Sequence, residues 1–140
     1  MLLIPTHVAP SGIHGNGLFT VGPVPKGTPL YRFLAGFDQV FTLAQWAALP
    51  ELARGYVRHF SYLTGDTREF ILSGDHARFM NHEEQPNTGA PSDDGLSVTT
   101  VALRDLAAGE ELTCDYRAFD ADVAWKLGRV ARDAAPGTSV

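Results

Sequence analysis

The chain has one cysteine, Cys114, among its 140 residues. No internal disulfide can form and no multi-cysteine zinc site can be assembled, so a domain of this size is expected to stand on its own buried core. Basic side chains are also scarce, 11 against 16 acidic ones, for a net charge of -5. That balance speaks against direct binding of nucleic acid, which asks for a basic face opposite the phosphates, and suits a cationic partner instead. No apolar run approaches the ~20 residues of a membrane helix, and Met1 to Ile4 is too short for a signal peptide. No membrane partner is expected, and a cytoplasmic location is, or a nuclear one in a eukaryote. The five histidines, His7, His14, His59, His76 and His82, lack H-E-x-x-H spacing, so no metal site is expected. A Gly-x-Ser-x-Gly elbow is absent, which leaves a nucleophilic hydrolase without support.

Glycine and proline, at 14 and 9 residues, are plentiful. They cut the chain into short strands with frequent turns and exclude a helical bundle. Strands are predicted at Leu18 to Val21, Pro29 to Phe33, Phe60 to Leu63, Glu69 to Leu72, Leu96 to Leu103 and Leu112 to Tyr116. Turns separate them at Gly22 to Gly27, Gly65-Asp66, Pro91 to Gly95 and Ala107 to Glu110. Thr42 and Gln45 form a capping-box pattern, and Pro50-Glu51 opens a second helical stretch in which Leu52 and Tyr56 share a face. A helical insert over about 42–60 follows. Asp120 as an N-cap, with Val123, Leu127 and Val130 on one face, predicts a C-terminal helix over about 120–132. The whole, residues 1–140, reads as a single mainly β domain. The Leu2-Leu3-Ile4 run is either an ordinary first strand or the contact strand of a homodimer.

Three segments carry candidate chemistry. Gly12-Ile13-His14-Gly15-Asn16-Gly17 precedes a strand, where backbone free of side chains can approach a ligand, although the same glycines suit a plain turn. Its order is wrong for a dinucleotide fingerprint. In Arg78-Phe79-Met80-Asn81-His82, an asparagine can offer donor and acceptor together to a zwitterion, or Asn81 and Asn87 can cap an Asx turn. Gly109 to Tyr116 feeds a turn into a strand ending in Asp115-Tyr116, whose phenol is either functional or a core tyrosine with a wet hydroxyl. Cys114 is a poor nucleophile, with Arg117 favouring the thiolate and Asp115 opposing it.

In this order and spacing, Gly-x-Gly, Arg-Phe-Met-Asn-His and Gly-Glu-Glu-Leu-Thr-Cys-Asp-Tyr resemble the signature of the SET-domain protein lysine methyltransferases, over about residues 12–116. The resemblance implies a β-clip fold of small curved sheets, in which the Asn-His segment threads, pseudoknot-like, beneath the strand of the Asp-Tyr motif. It implies S-adenosylmethionine as cofactor, S-adenosylhomocysteine as product and no metal. Gly15, Asn16, Gly17, Arg78, Asn81, His82, Tyr116 and Trp125 would contact the cofactor. Tyr116, with Tyr62 as a second tyrosine, would serve catalysis. Cys114, Tyr62 and Phe119 would line the substrate channel.

The implied reaction moves a methyl group from sulfonium to a neutral lysine amine of a basic protein or peptide. Free lysine has a pKa of ~10.4, and desolvation beside a positive sulfonium lowers it. Aligning amine and methyl can contribute on the order of 7 kcal/mol. Three departures stand out: Glu83 and Glu84 follow Asn81-His82 where the family has a serine, the zinc-binding closing segment is missing, and Cys114 replaces an aromatic residue two before the tyrosine. Phe119 and Trp125 either close the site in place of the zinc segment or pack as an ordinary amphipathic helix. The smaller thiol leaves room for an amine already methylated, so products beyond monomethyllysine are expected. The rival is a SET-like interaction module that binds without turnover.

Overall fold

Short strands separated by tight turns build most of this protein, as its glycines and prolines require. The structure is a computed structural model, and it describes residues 1–91 and 99–140. Strands run as β1 (Thr6–Pro10), β2 (Asn16–Thr20), β3 (Pro29–Arg32), β4 (Gln39–Thr42), β5 (Tyr62–Leu63), β6 (Glu69–Leu72), β7 (Asn81–His82), β8 (Thr88–Gly89), β9 (Thr99–Ala102) and β10 (Glu111–Cys114). Helices α1 (Leu43–Ala47), α2 (Glu51–Phe60) and α3 (Val123–Lys126) lie among them, with 3-10 turns at His76–Phe79 and Tyr116–Ala118. These elements form two compact units.

The first unit comprises Met1–Asp38 and Ser73–Asp115. One sheet has the order β1-β2-β10-β7 and the other β3-β9-β8. β1 and β2 form an antiparallel hairpin, β10 pairs antiparallel with β2, and β7 joins β10 in parallel, with Thr113 opposite Asn81 and Cys114 opposite His82. A parallel pair cannot be closed by a tight turn. Between them in the chain come β8 and β9 of the second sheet, before β10 returns beside β7. Leu18, Val24, Leu30, Ala102, Leu106 and Leu112 form the core, flanked by Leu2, Ile4, Val8 and Met80.

The second unit comprises Gln39–Leu72 and Tyr116–Val140. Its sheet is β4-β6-β5, fully antiparallel. Both capping-box bonds form at α1: the Gln45 N–H donates to Thr42 Oγ1 at 3.1 Å and the Thr42 N–H to Gln45 Oε1 at 2.9 Å. These satisfy two of the donors that a helix start leaves open. α2 turns Val57 into a core with Leu63, Phe70 and Leu72. Leu52 and Tyr56 do share a face of α2, but it is the outer one, with Leu52 90% exposed.

Several expected boundaries move. Phe60 ends α2 instead of starting a strand, and β10 stops at Cys114, so Tyr116 opens a 3-10 turn instead of closing a strand. Leu2 makes one isolated bridge to Tyr31, and the first strand is β1. The C-terminal helix spans four residues in place of 120–132. Gly128, at φ +67°, takes the left-handed conformation that ends helices, and the Asp120 carboxylate is drawn away from capping, as described below. Of the predicted strand at Leu96 to Leu103, Thr99–Ala102 is observed; residues 96–98 and the turn residues 92–95 lie outside the described residues.

Candidate functional site

Ser11 to Gly15 forms a closed loop between β1 and β2. The Ser11 N–H donates to the Gly15 carbonyl at 2.8 Å, and Ser11 Oγ accepts the Ile13 N–H at 2.9 Å. Gly15 sits at φ +49°, where a side chain would be strained. Residues 12–16 are exposed, and a Cβ at Gly12 or Gly15 would meet nothing within 4 Å. Gly17 differs: it is buried, and a Cβ there would fall on the Glu111 carboxylate and 3.1 Å from Ser11 Cβ.

Glu111 and Asn81 clasp this loop from the neighbouring strands. Ser11 Oγ donates to Glu111 Oε1 at 2.8 Å. The buried Asn81 amide Nδ2 lies 3.0 Å from the His14 carbonyl, 3.1 Å from the Asn16 carbonyl and 3.0 Å from Glu111 Oε1. Its donors thus hold loop backbone and do not cap an Asx turn. Asn87 is also placed differently from a turn cap. Its side chain bonds β10 as another strand would, accepting the Thr113 N–H at 2.8 Å and donating to the Glu111 carbonyl at 2.7 Å.

The remaining predicted residues of the first unit surround β7 and β10. His82 Nδ1 lies 3.6 Å from Asp115 Oδ1. Arg78 donates to the carbonyls of Ser73 at 2.7 Å and Asp75 at 3.3 Å. Cys114 is buried, with Sγ 3.9 Å from the Asn81 carbonyl oxygen. Among the described residues, no group of three or more His, Cys, Asp or Glu side chains is arranged to hold a metal ion.

In the second unit, Phe119 brings the two predicted tyrosines together. Its ring meets Tyr62 edge-on at 5.4 Å and Tyr116 at 6.2 Å between centroids. Trp125 is committed elsewhere: its indole N–H donates to the Arg132 carbonyl at 2.9 Å, and the Arg58 guanidinium lies 4.3 Å over its ring. Arg58 also makes a two-pronged bond to the fully buried Asp122, at 2.7 and 3.0 Å, and donates to the Ala134 carbonyl at 2.8 Å. Sequence reasoning missed this node and the ammonium of Lys126, 5.6 Å over the Tyr116 ring. Spacing of three or four residues on a helix would have flagged neither, because the partners come from distant segments.

The family model described as the SET domain matches residues 15–117. The chain is 29% identical over 118 residues to an H3 lysine-4 specific histone-lysine N-methyltransferase of Chaetomium globosum, covering 81% of this chain and 11% of that protein. A protein of the same description from Schizosaccharomyces pombe is 29% identical over 121 residues, covering 79% and 12%. The chain thus spans about a tenth of the length of these curated relatives. Two solved structures share its fold. A humanized mutant of the Chaetomium thermophilum Polycomb Repressive Complex 2, bound to the inhibitor GSK126, superimposes with a TM-score of 0.60 at 17% identity, covering 86% of this chain and 16% of that one. KRYPTONITE in complex with mCHH DNA, an H3 peptide and SAH does so with a TM-score of 0.55 at 20% identity, covering 82% and 24%.

Proposed function

The chain belongs to the SET domain family, and from that premise we propose that it transfers methyl groups from S-adenosylmethionine to lysine side chains of a basic protein or peptide. The observation that carries this reading is the clasp of Asn81 and Glu111 on the glycine loop, with β7 parallel to β10. It joins all three motifs of the sequence into one hydrogen-bonded structure.

The loop supports the cofactor reading. Backbone open above Gly12 and Gly15 admits close approach of a ligand, and Asn81 ties down the His14 and Asn16 carbonyls beside it. Bound there, S-adenosylmethionine would supply a methyl group on a positive sulfonium. Gly15, Asn16 and Gly17 would contact it through backbone, and Arg78, Asn81 and His82 would support it. For Asn81 the support is indirect, through the loop carbonyls it holds. Tyr116 and Tyr62, with Phe119 against both, would line the path of the incoming lysine. The Tyr116 hydroxyl would hold the amine in line for attack, and the apolar rings would strip water from the ammonium, favouring the neutral form that reacts. Trp125 packs beneath Arg58, so its proposed share in the site is to support the closing segment.

The net charge of -5 favours a cationic peptide by long-range attraction that salt weakens. The relatives are named for lysine 4 of histone H3, which makes an H3 tail peptide a sensible first substrate. Calorimetry with S-adenosylmethionine, followed by labelled-methyl transfer to that peptide and to a pool of basic proteins, tests the proposal. Transfer that falls about tenfold or more in Tyr116→Phe, with cofactor affinity kept, is the expected result. Cofactor binding without transfer to any substrate would make the chain a SET-like interaction module instead.

A further inference from the structure

The segment after the Asp-Tyr motif brings a lysine of this chain against the tyrosine proposed for catalysis. Lys126 is the last residue of α3, and its Nζ lies 5.6 Å over the centre of the Tyr116 ring. The same ammonium sits 2.7 Å from Asp120 Oδ2 and donates to the carbonyl of Ser61, the residue before Tyr62. It is largely withdrawn from water, with 10% of its side chain exposed against 1% for Asp120.

The carboxylate that receives it is itself immobilised. Asp120 Oδ1 accepts the N–H groups of Leu63 at 3.0 Å and Asp122 at 2.9 Å. The Asp120 N–H donates to the Tyr116 carbonyl at 2.9 Å. Backbone on both sides of the carboxylate thus fixes where the ammonium must sit, and a buried ammonium cannot leave its carboxylate without a large desolvation penalty. A cation over an aromatic face is attracted by the ring's negative face, and this attraction weakens as ring or cation moves. Lys126 therefore touches Tyr116 through the ring and Tyr62 through the preceding carbonyl.

We propose that Lys126 is a positioning residue, which holds Tyr116 and Tyr62 in the arrangement methyl transfer needs. The proposal rests on the methyltransferase reading of those tyrosines. It also gives a role to Asp120, whose carboxylate holds the ammonium in place.

The test compares wild type, Lys126→Met and Lys126→Arg as full chains containing isotope-labelled tyrosine, read first by NMR without cofactor. Tyr116→Phe assigns the Tyr116 ring signal. The signal is expected to shift in Lys126→Met and to return toward its wild-type position in Lys126→Arg. In methyl transfer, Lys126→Met should lower kcat by about tenfold or more while KM and cofactor affinity stay within about twofold, with Lys126→Arg recovering part of the loss. An unmoved Tyr116 signal, or a drop in melting temperature with kcat unchanged for the folded fraction, would overturn the proposal. If Lys126→Met fails to fold, Asp120→Asn loosens the same ammonium and should move the signal in the same direction. A wild-type chain that methylates nothing would remove the functional reading, and the ring signal would still decide whether Lys126 orders Tyr116.

Discussion

Asn81 donates its side-chain amide to Glu111 Oε1 at 3.0 Å, across the parallel pair of β7 and β10. The same nitrogen reaches the His14 and Asn16 carbonyls, so one amide joins the middle of the chain, the glycine loop and the last strand. Asn81→Ala should weaken S-adenosylmethionine by about tenfold or more and lower stability by about 1 kcal/mol or more, because it removes the donor shared by the part-buried His14 and Asn16 carbonyls and Glu111. Calorimetry and thermal unfolding measure the two losses separately.

Gly17 is where the clasp excludes a side chain. Gly17→Ala should be destabilising, because the new methyl group must displace a Glu111 carboxylate already bonded to Ser11 and Asn81. In a Glu111→Ala background the methyl group meets no carboxylate, so the same substitution should cost less. A double-mutant cycle should therefore return a coupling of about 0.5–3 kcal/mol. Strict additivity would show that the Glu111 carboxylate is not what excludes a side chain there.

Under the proposed function, Cys114 would bear on how far methylation goes. It is a small buried side chain, with Sγ 3.9 Å from the Asn81 carbonyl. Products carrying two or three methyl groups are expected in mass spectra of a completed reaction, and Cys114→Tyr should shift them toward one. A wild-type reaction that stops at the first methyl group would sink this expectation.

Arg58 and Asp122 should dominate the stability of the second unit. Both are buried, and Asp122 also accepts the Gly137 N–H at 2.7 Å. Arg58→Met leaves a buried carboxylate without its cation and should cost about 3–5 kcal/mol. Replacing both partners by apolar residues of similar size should restore much of that loss. Chemical denaturation of the two variants distinguishes a broken pair from a missing one.

Acid should weaken the first unit through Asp38. Burial pulls its carboxyl upward, but the N–H groups of Gly74 and Leu34 and the Met1 ammonium outweigh that and hold it below the ordinary value. A folded value below the unfolded one means that the contribution is fully present above about pH 4 and is lost as pH falls through the folded value. Glu110, held low chiefly by its bond from Arg104, adds the same sign from an exposed turn. Melting temperatures of wild type should fall below about pH 4 more steeply than those of Asp38→Asn, and parallel curves would exclude the assignment.

Much of the local structure was legible in the residues. The Thr42 capping box, the glycine loop and the turn before β10 depend on groups within a few positions of each other, and the strands at Pro29 and Glu69 carry apolar runs of their own. Strands of two residues such as β7 and β8 were not legible, since they have no pattern of their own and exist because a partner strand lies alongside. The C-terminal helix failed for a related reason. Asp120 had better partners than a helix N-terminus, in Leu63 N–H and Lys126.

The sequence by itself determined the mainly β character, the resemblance to SET domains and which residue types could serve the chemistry. Only the tertiary structure decided what those residues hold: Asn81 a loop 65 residues earlier, Arg58 an aspartate 64 residues later, and Lys126 the tyrosine ring it faces. Caps and turns are settled by bonds a few residues long, which any copy of the segment would make. A partner across the chain exists only where folding has paid the entropy of closing the intervening loop, and that depends on every element in between.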